Sequence, residues 1–203
     1  MADNFNLCDQ PVRDSWLNPL TGASPSLTAA NIRWFPQTSG DNLSTAATLG
    51  NGTLRLVPAY VPEAVTISHI GAEVTSAGDA GSTLVAAVYD NIPGSFYPRS
   101  LVAQAAILGD SGTVQEIDIT DALIVPGWYW VGGVVQGVTV TQPTVRTVGT
   151  ALVSGLISTS APTAGQVFRG YSQGSVTGAL PATFTTTLGV TTTAPRIHFR
   201  RAS

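Results

Sequence analysis

From Leu54 onward the chain is built of short apolar runs, many with a period of two, cut at regular intervals by Gly, Asp and Pro. Such a pattern predicts many short strands joined by tight turns, as in an all-β sandwich. In the run 65–75 the parity of the apolar positions changes midway. Val65 and Ile67 share one face, then Ile70, Ala72 and Val74 share the other. A regular strand cannot change parity, so the switch predicts a bulge near Ser68 and His69. The stretch 76–82 reads as a turn in which Gly78 and Gly81 are free to take positive φ. The run 83–90 is apolar on both faces, as expected of a central strand covered on each side.

Two further runs, 101–108 and 113–120, are separated by a Gly-Asp-Ser-Gly turn signal. In the second, Ile117 and Ile119 point one way and Glu116 and Asp118 the other, the mark of a half-buried strand. In the run 126–138, Trp128 and Trp130 share a face opposite Tyr129 and Val131. Gly132, Gly133 and Gly137 in that run predict a bulge or a close approach by another backbone. Pro58 confines the run 54–61 to a sheet edge or a bulge. The Thr-rich run 183–193 has strand propensity but little apolar content, which suits an exposed or intersubunit strand. In the closing run Ile197 and Phe199 share one face, with Arg196, Arg200, Arg201 and His198 around them. The spacing predicts roughly eight to ten strands, as in a jelly roll or a related sandwich. No stretch shows capped helical periodicity. The expected fold is therefore an all-β, antiparallel, jelly-roll-like β-sandwich over residues 48–203.

Residues 1–47 differ. They are loop-like mixtures of Asn, Asp, Ser, Pro and Gly with isolated anchors at Phe5, Trp16, Leu17, Trp34 and Phe35. Such a segment cannot bury enough surface to fold alone, yet aromatic side chains are costly to leave in water. It is expected to be an extended arm whose aromatics dock, either along its own domain or on a neighbour. Trp16, Trp34 and Phe35 are the arm's candidate interaction residues.

Composition changes the picture in one respect. Of 203 residues 43% are hydrophobic but only 10% are charged, far below the ~25% of an average globular protein. A free soluble domain usually carries more charge, so assembly with neighbouring subunits is the economical explanation. All nine cationic residues are Arg. Arg suits interfacial ion pairs, although the codon bias of a GC-rich genome is the simpler cause. The net charge of −3 offers no basic field for nucleic acid. Cys8 is the only cysteine, so neither an intrachain disulfide nor a multi-cysteine zinc site is available. No secretory signal is visible, and the interrupted apolar runs predict no bilayer span.

Candidate chemistry is sparse. Glu116, Asp118 and Asp121 have the residue types of a glycosidase acid pair and, with Asp79 or Asp90, of a Ca²⁺ site. Outward acids on a half-exposed strand are the plainer reading. His69 and His198 are the only histidines, and neither an HExxH nor a GxSxG motif accompanies them. Trp128, Tyr129 and Trp130 suggest a sugar-stacking platform, against which core packing of at least one ring is the simpler reading. The sequence calls for no cofactor and no metal.

The runs ISHIGAEVTSAGDAGSTLVAAVYD, PRSLV, DSGTVQEIDIT, LIVPGWYWVGGVVQG and QPTVRT together resemble a β-sandwich domain of tail-associated structural proteins of long-tailed bacteriophages, notably those of actinobacterial hosts. The matching positions include Ile70, Gly71, Glu73, Val74, Gly78, Gly81, Tyr89, Asp90, Leu101, Ile117, Ile119, Gly127, Tyr129, Trp130, Gln136, Gly137, Pro143 and Arg146. They cover residues 54–146. The chain departs from the pattern after Asp90, where Pro98, Arg99 and Ser100 replace a Pro-Gly turn. It also lacks the long receptor-binding or collagen-like segments of such proteins. The resemblance implies a non-enzymatic virion structural protein, a minor tail or tail-tip subunit. Its expected partners are copies of itself (a trimer among the options) and other virion proteins. A capsid decoration protein or head fibre is the alternative, and a host-glycan-binding module using Trp128 and Trp130 is another.

Overall fold

The computed structural model describes residues 33–34, 45–95, 97–148, 170–185, 189–191 and 193–202. Among them no helix occurs, and twelve strands form two antiparallel sheets. Sheet 1 contains β1 (Arg33–Trp34), β12 (Ile197–Arg201), β4 (Val65–Ser76), β9 (Thr144–Thr147) and β2 (Thr45–Thr48) in that order, with β7 (Val114–Ile124) also paired to β4. Sheet 2 has the order β11 (Gly189–Thr191), β10 (Gly170–Gln173), β3 (Leu54–Val61), β8 (Gly127–Gln136), β5 (Thr83–Asn91) and β6 (Pro98–Leu108). The expected all-β sandwich is the observed architecture. Strands outnumber the expectation because short pieces such as β1 and β2 pair without any alternating pattern to announce them. β1 and all of β2 but Thr48 lie in the segment read as an arm; the remainder of that segment, with Trp16 and Phe35, lies outside the described residues.

The two sheets close on one continuous core. Ile67, Ile70, Ala72, Val74, Ile197 and Phe199 of sheet 1 meet Val57, Ala59, Leu84, Ala86, Val88, Ile107 and Val131 of sheet 2. The parity switch in β4 has the predicted cause. The β4–β7 register shifts between Ile67 and His69. The extra residue rotates the second half of the strand, so Val65 and Ile67 enter the same core as Ile70, Ala72 and Val74. Without that bulge, one of the two apolar sets would face away from the core.

Sheet 2 is covered on its other face too. Leu54, Leu56, Ala87, Tyr89, Trp130 and Val134 pack there against Tyr171 of β10 and against Val176, Leu180 and Phe184 from the segment after it. This explains why β5 is apolar on both sides. The Tyr89 hydroxyl donates to the Pro181 carbonyl at 2.8 Å and its ring meets Phe184 edge-on. Burial pushes the Tyr89 phenol above its ordinary range, so it acts as a neutral donor.

Pro58 is expected to confine its strand to a sheet edge or a bulge, but β3 lies inside sheet 2, between β10 and β8. Among the described residues β10 pairs β3 only at Leu54–Leu56, while Pro58 pairs Trp130 of β8. The turn after β4 differs in part. Gly81 has φ 80°, but Gly78 has no positive φ. It is instead a close approach, since a Cβ there would come within 2.5 Å of Pro143 Cδ.

Candidate functional site

The outer face of sheet 1 carries the densest set of titratable groups among the described residues. Its geometry follows from strand register. β12, β4 and β7 lie side by side, so side chains at matched positions form rows across the sheet. One row is Arg200, His69 and Asp118; the next is His198, Gly71 and Glu116. The middle position of the second row is glycine, and this brings His198 and Glu116 together across β4. A side chain at Gly71 would collide with the His198 ring and with the Gln115 carbonyl. His198 Nε2 donates to Glu116 Oε1 at 3.0 Å, and Arg200 Nη1 lies 3.6 Å from Glu116 Oε2.

Arg200 contacts His69 Nε2. His69 Nδ1 lies 2.9 Å from Ser68 Oγ, and Ser68 Oγ donates to the Arg201 carbonyl at 3.3 Å. The Ser68–His69 pair holds the bulge and the end of β12 together. Asp118 Oδ1 is 3.8 Å from His69 Nδ1, beyond hydrogen-bond reach.

Three other acids, Glu73, Asp79 and Asp90, are spent on backbone and arginine. Glu73 is held in a two-pronged pair by Arg146 at 3.0 and 2.8 Å, which ties β4 to β9. The Arg146 hydrogen bonds keep its carboxyl below the ordinary range. Burial raises the Asp90 carboxyl, but Arg99 and the Ser100 amide, 2.6 Å from Oδ1, outweigh it and hold it low. The Pro98-Arg99-Ser100 segment, where the chain departs from the resembled pattern, thus supplies both partners of Asp90. Among the described residues no three His, Cys, Asp or Glu side chains converge as a metal would require. Asp79 and Asp90 are not joined to Glu116 or Asp118.

Asp79 shows what such an acid does here. Its carboxylate accepts from the amides of Thr139, Val140 and Thr141 at 2.6–2.9 Å and from the Thr139 hydroxyl at 2.8 Å. The Val140, Thr139 and Thr141 amides hold its pKa well below the carboxylate range. A depressed folded pKa contributes stability that is complete above the unfolded value, about 3.9, and is lost as pH falls through the folded one. In an NMR titration the Thr139, Val140 and Thr141 amide shifts are expected to move with a midpoint below that ordinary value. Asp79→Asn is expected to abolish this common midpoint; a midpoint at the ordinary value would contradict the clamp.

The aromatic candidates separate. Trp130 is fully buried, donates from Nε1 to Asn91 Oδ1 at 2.9 Å, and tilts on Tyr171 at 5.1 Å. Tyr129 faces the inter-sheet core, its hydroxyl accepting from the Val125 amide. Trp128 is half-buried beside Tyr60, ring centroids 5.3 Å apart, and Tyr60 is 49% exposed. Trp34 pairs with Phe199 through its backbone. Sequence reasoning missed Tyr60 and the Tyr97–Tyr171 stack, 4.9 Å apart; only the register of β3 against β8 brings Tyr60 to Trp128. No helix among the described residues is long and apolar enough to cross a membrane. Comparison with family models, curated proteins and solved structures finds no match to this chain.

Proposed function

We propose that the protein is a bacteriophage virion structural protein, a minor tail or tail-tip subunit with a jelly-roll-like sandwich that assembles through its arm and its β-sandwich surfaces. One observation carries the reading. The residues of the resembled motif serve as clamps and core of a two-sheet scaffold. Glu73 pairs with Arg146, Gly78 meets Pro143, Asp90 anchors the start of β6, and Gln136 donates to the Val176 carbonyl. Tyr89 and Trp130 are core. The 10% charge content favours a surface shared with neighbours. A capsid decoration protein or head fibre fits the same surface, and labelled particles imaged by electron microscopy separate the positions. Absence of the protein from purified particles would overturn the virion reading.

The Tyr60–Trp128 pair supports a second reading, a module stacking host-surface sugars. Under it, Trp128→Ala abolishes binding on a glycan array and changes stability by only about 1 kcal/mol, the scale of an aromatic pair. An array on which neither the native chain nor the variant binds would remove this reading.

A further inference from the structure

The outer edge of β6 is closed by the chain at both ends and open in the middle. Gly109 N–H donates to the Ser82 carbonyl at 2.8 Å, which sets the alternation along the hairpin. With Thr83 opposite Leu108 and Ala87 opposite Gln104, the backbone groups of Gln104, Ala106 and Leu108 point away from β5. The Leu108 amide and carbonyl are both taken by the Gln115 side chain, at 3.0 and 2.8 Å. Beyond the register shift near Tyr89, Leu101 N–H donates to the Ala182 carbonyl and the Arg99 carbonyl accepts from Phe184 N–H. Between these closures the N–H and C=O groups of Gln104 and Ala106 have no partner among the described residues.

We propose that this open stretch is a homodimerisation edge. Two copies join antiparallel about a two-fold axis at Ala105, with Gln104 of one opposite Ala106 of the other, and sheet 2 continues into the second copy. Three observations favour a second copy over a foreign strand. The stretch is self-complementary: each copy offers one outward donor and acceptor at 104 and at 106, and the two-fold matches each to its counterpart. Its outer face shows only Gln104, Ala106 and the 54% exposed Leu108. No charge lies between Arg99 and Asp110, whereas β7, also an edge strand, carries Glu116, Asp118 and Asp121. Charge is the usual guard against edge-to-edge pairing, and β6 lacks it where its backbone is open.

The inference rests on the self-association part of the proposed function and not on the virion. The test is the mass of the purified full chain by light scattering over a dilution series, with hydrogen exchange at Gln104 and Ala106. A dimer is expected, with both amides protected in it. Ala106→Pro removes an outward N–H that makes no bond among the described residues. It is expected to weaken the dimer more than roughly tenfold and to expose Gln104 to exchange. Gln104→Lys, a change on an exposed side chain, is expected to do the same should the proline variant fail to fold. A monomer at every concentration, or an oligomer (a trimer included) that both folded variants leave intact, overturns the proposal. Absence from virions with the dimer intact would instead overturn the functional reading alone.

Discussion

Gly132→Ala is expected to prevent stable folding. Gly132 lies opposite Leu56 where β8 pairs with β3, and a Cβ there would overlap the Arg55 carbonyl oxygen and crowd the Arg55 carbonyl carbon at 2.9 Å. Both obstacles are backbone, so relief requires separating two interior strands of sheet 2. Both faces of those strands are packed. Overpacking of a flexible core usually costs about 1–3 kcal/mol. A rigid backbone clash should exceed that, by our reckoning about 4 kcal/mol or more, a large part of a domain's total stability. Urea or thermal denaturation followed by circular dichroism measures it. Gly174→Ala is the control: a Cβ there meets nothing within 4 Å, and a change within about 0.5 kcal/mol is expected. Equal stability of the two variants would show that the β3–β8 approach is looser than described.

The second large effect is expected from Trp130→Ala. The ring is fully buried on the face of sheet 2 away from sheet 1, between Tyr89 and Tyr171. Truncation to Ala should cost about 3–5 kcal/mol, the range for a large buried aromatic. It also removes the donor to Asn91 Oδ1. Asn91 in turn donates to the Ile92 and Ser95 carbonyls at 3.0 and 2.7 Å, so the loop 92–95 should lose protection along with the core. Trp128→Ala, two residues away on the same strand face, should cost only about 1 kcal/mol. The contrast between the two tryptophans is the informative result. Comparable losses would mean that the segment 174–185 does not form a second core layer. Trp130→Phe should recover most of the stability but not the loop protection.

Much of the fold was legible in residue order. The bulge in β4 was read from a change in apolar parity, because burial on one face admits no other way of keeping both halves inward. The close approach at Gly132 was read from glycine inside a strand, and the double-sided burial of β5 from its unbroken apolar run. What escaped was what depends on partners distant in sequence. Gly71 looks like any strand glycine until β12 is laid beside β4, when it becomes the gap across which His198 reaches Glu116. Gln115 looks like an ordinary outward polar residue, yet its amide closes the backbone of Leu108. Asp79 reads as a turn former, while its carboxylate fixes a loop some sixty residues on.

Local chemistry by itself determined that the chain is all-β, where its strands bend and turn, and which side chains seek an apolar interior. Those properties follow from alternation, glycine and proline geometry and hydrophobic burial, all written in neighbouring residues. Only the tertiary structure decided which strands are neighbours. With that it decided which acid meets which base, that one of the two adjacent tryptophans is core and the other half-open, and that the Gln104 and Ala106 backbone of β6 has no partner among the described residues. Strand register is a relation between distant segments, and it sets the His198–Glu116 and Glu73–Arg146 contacts.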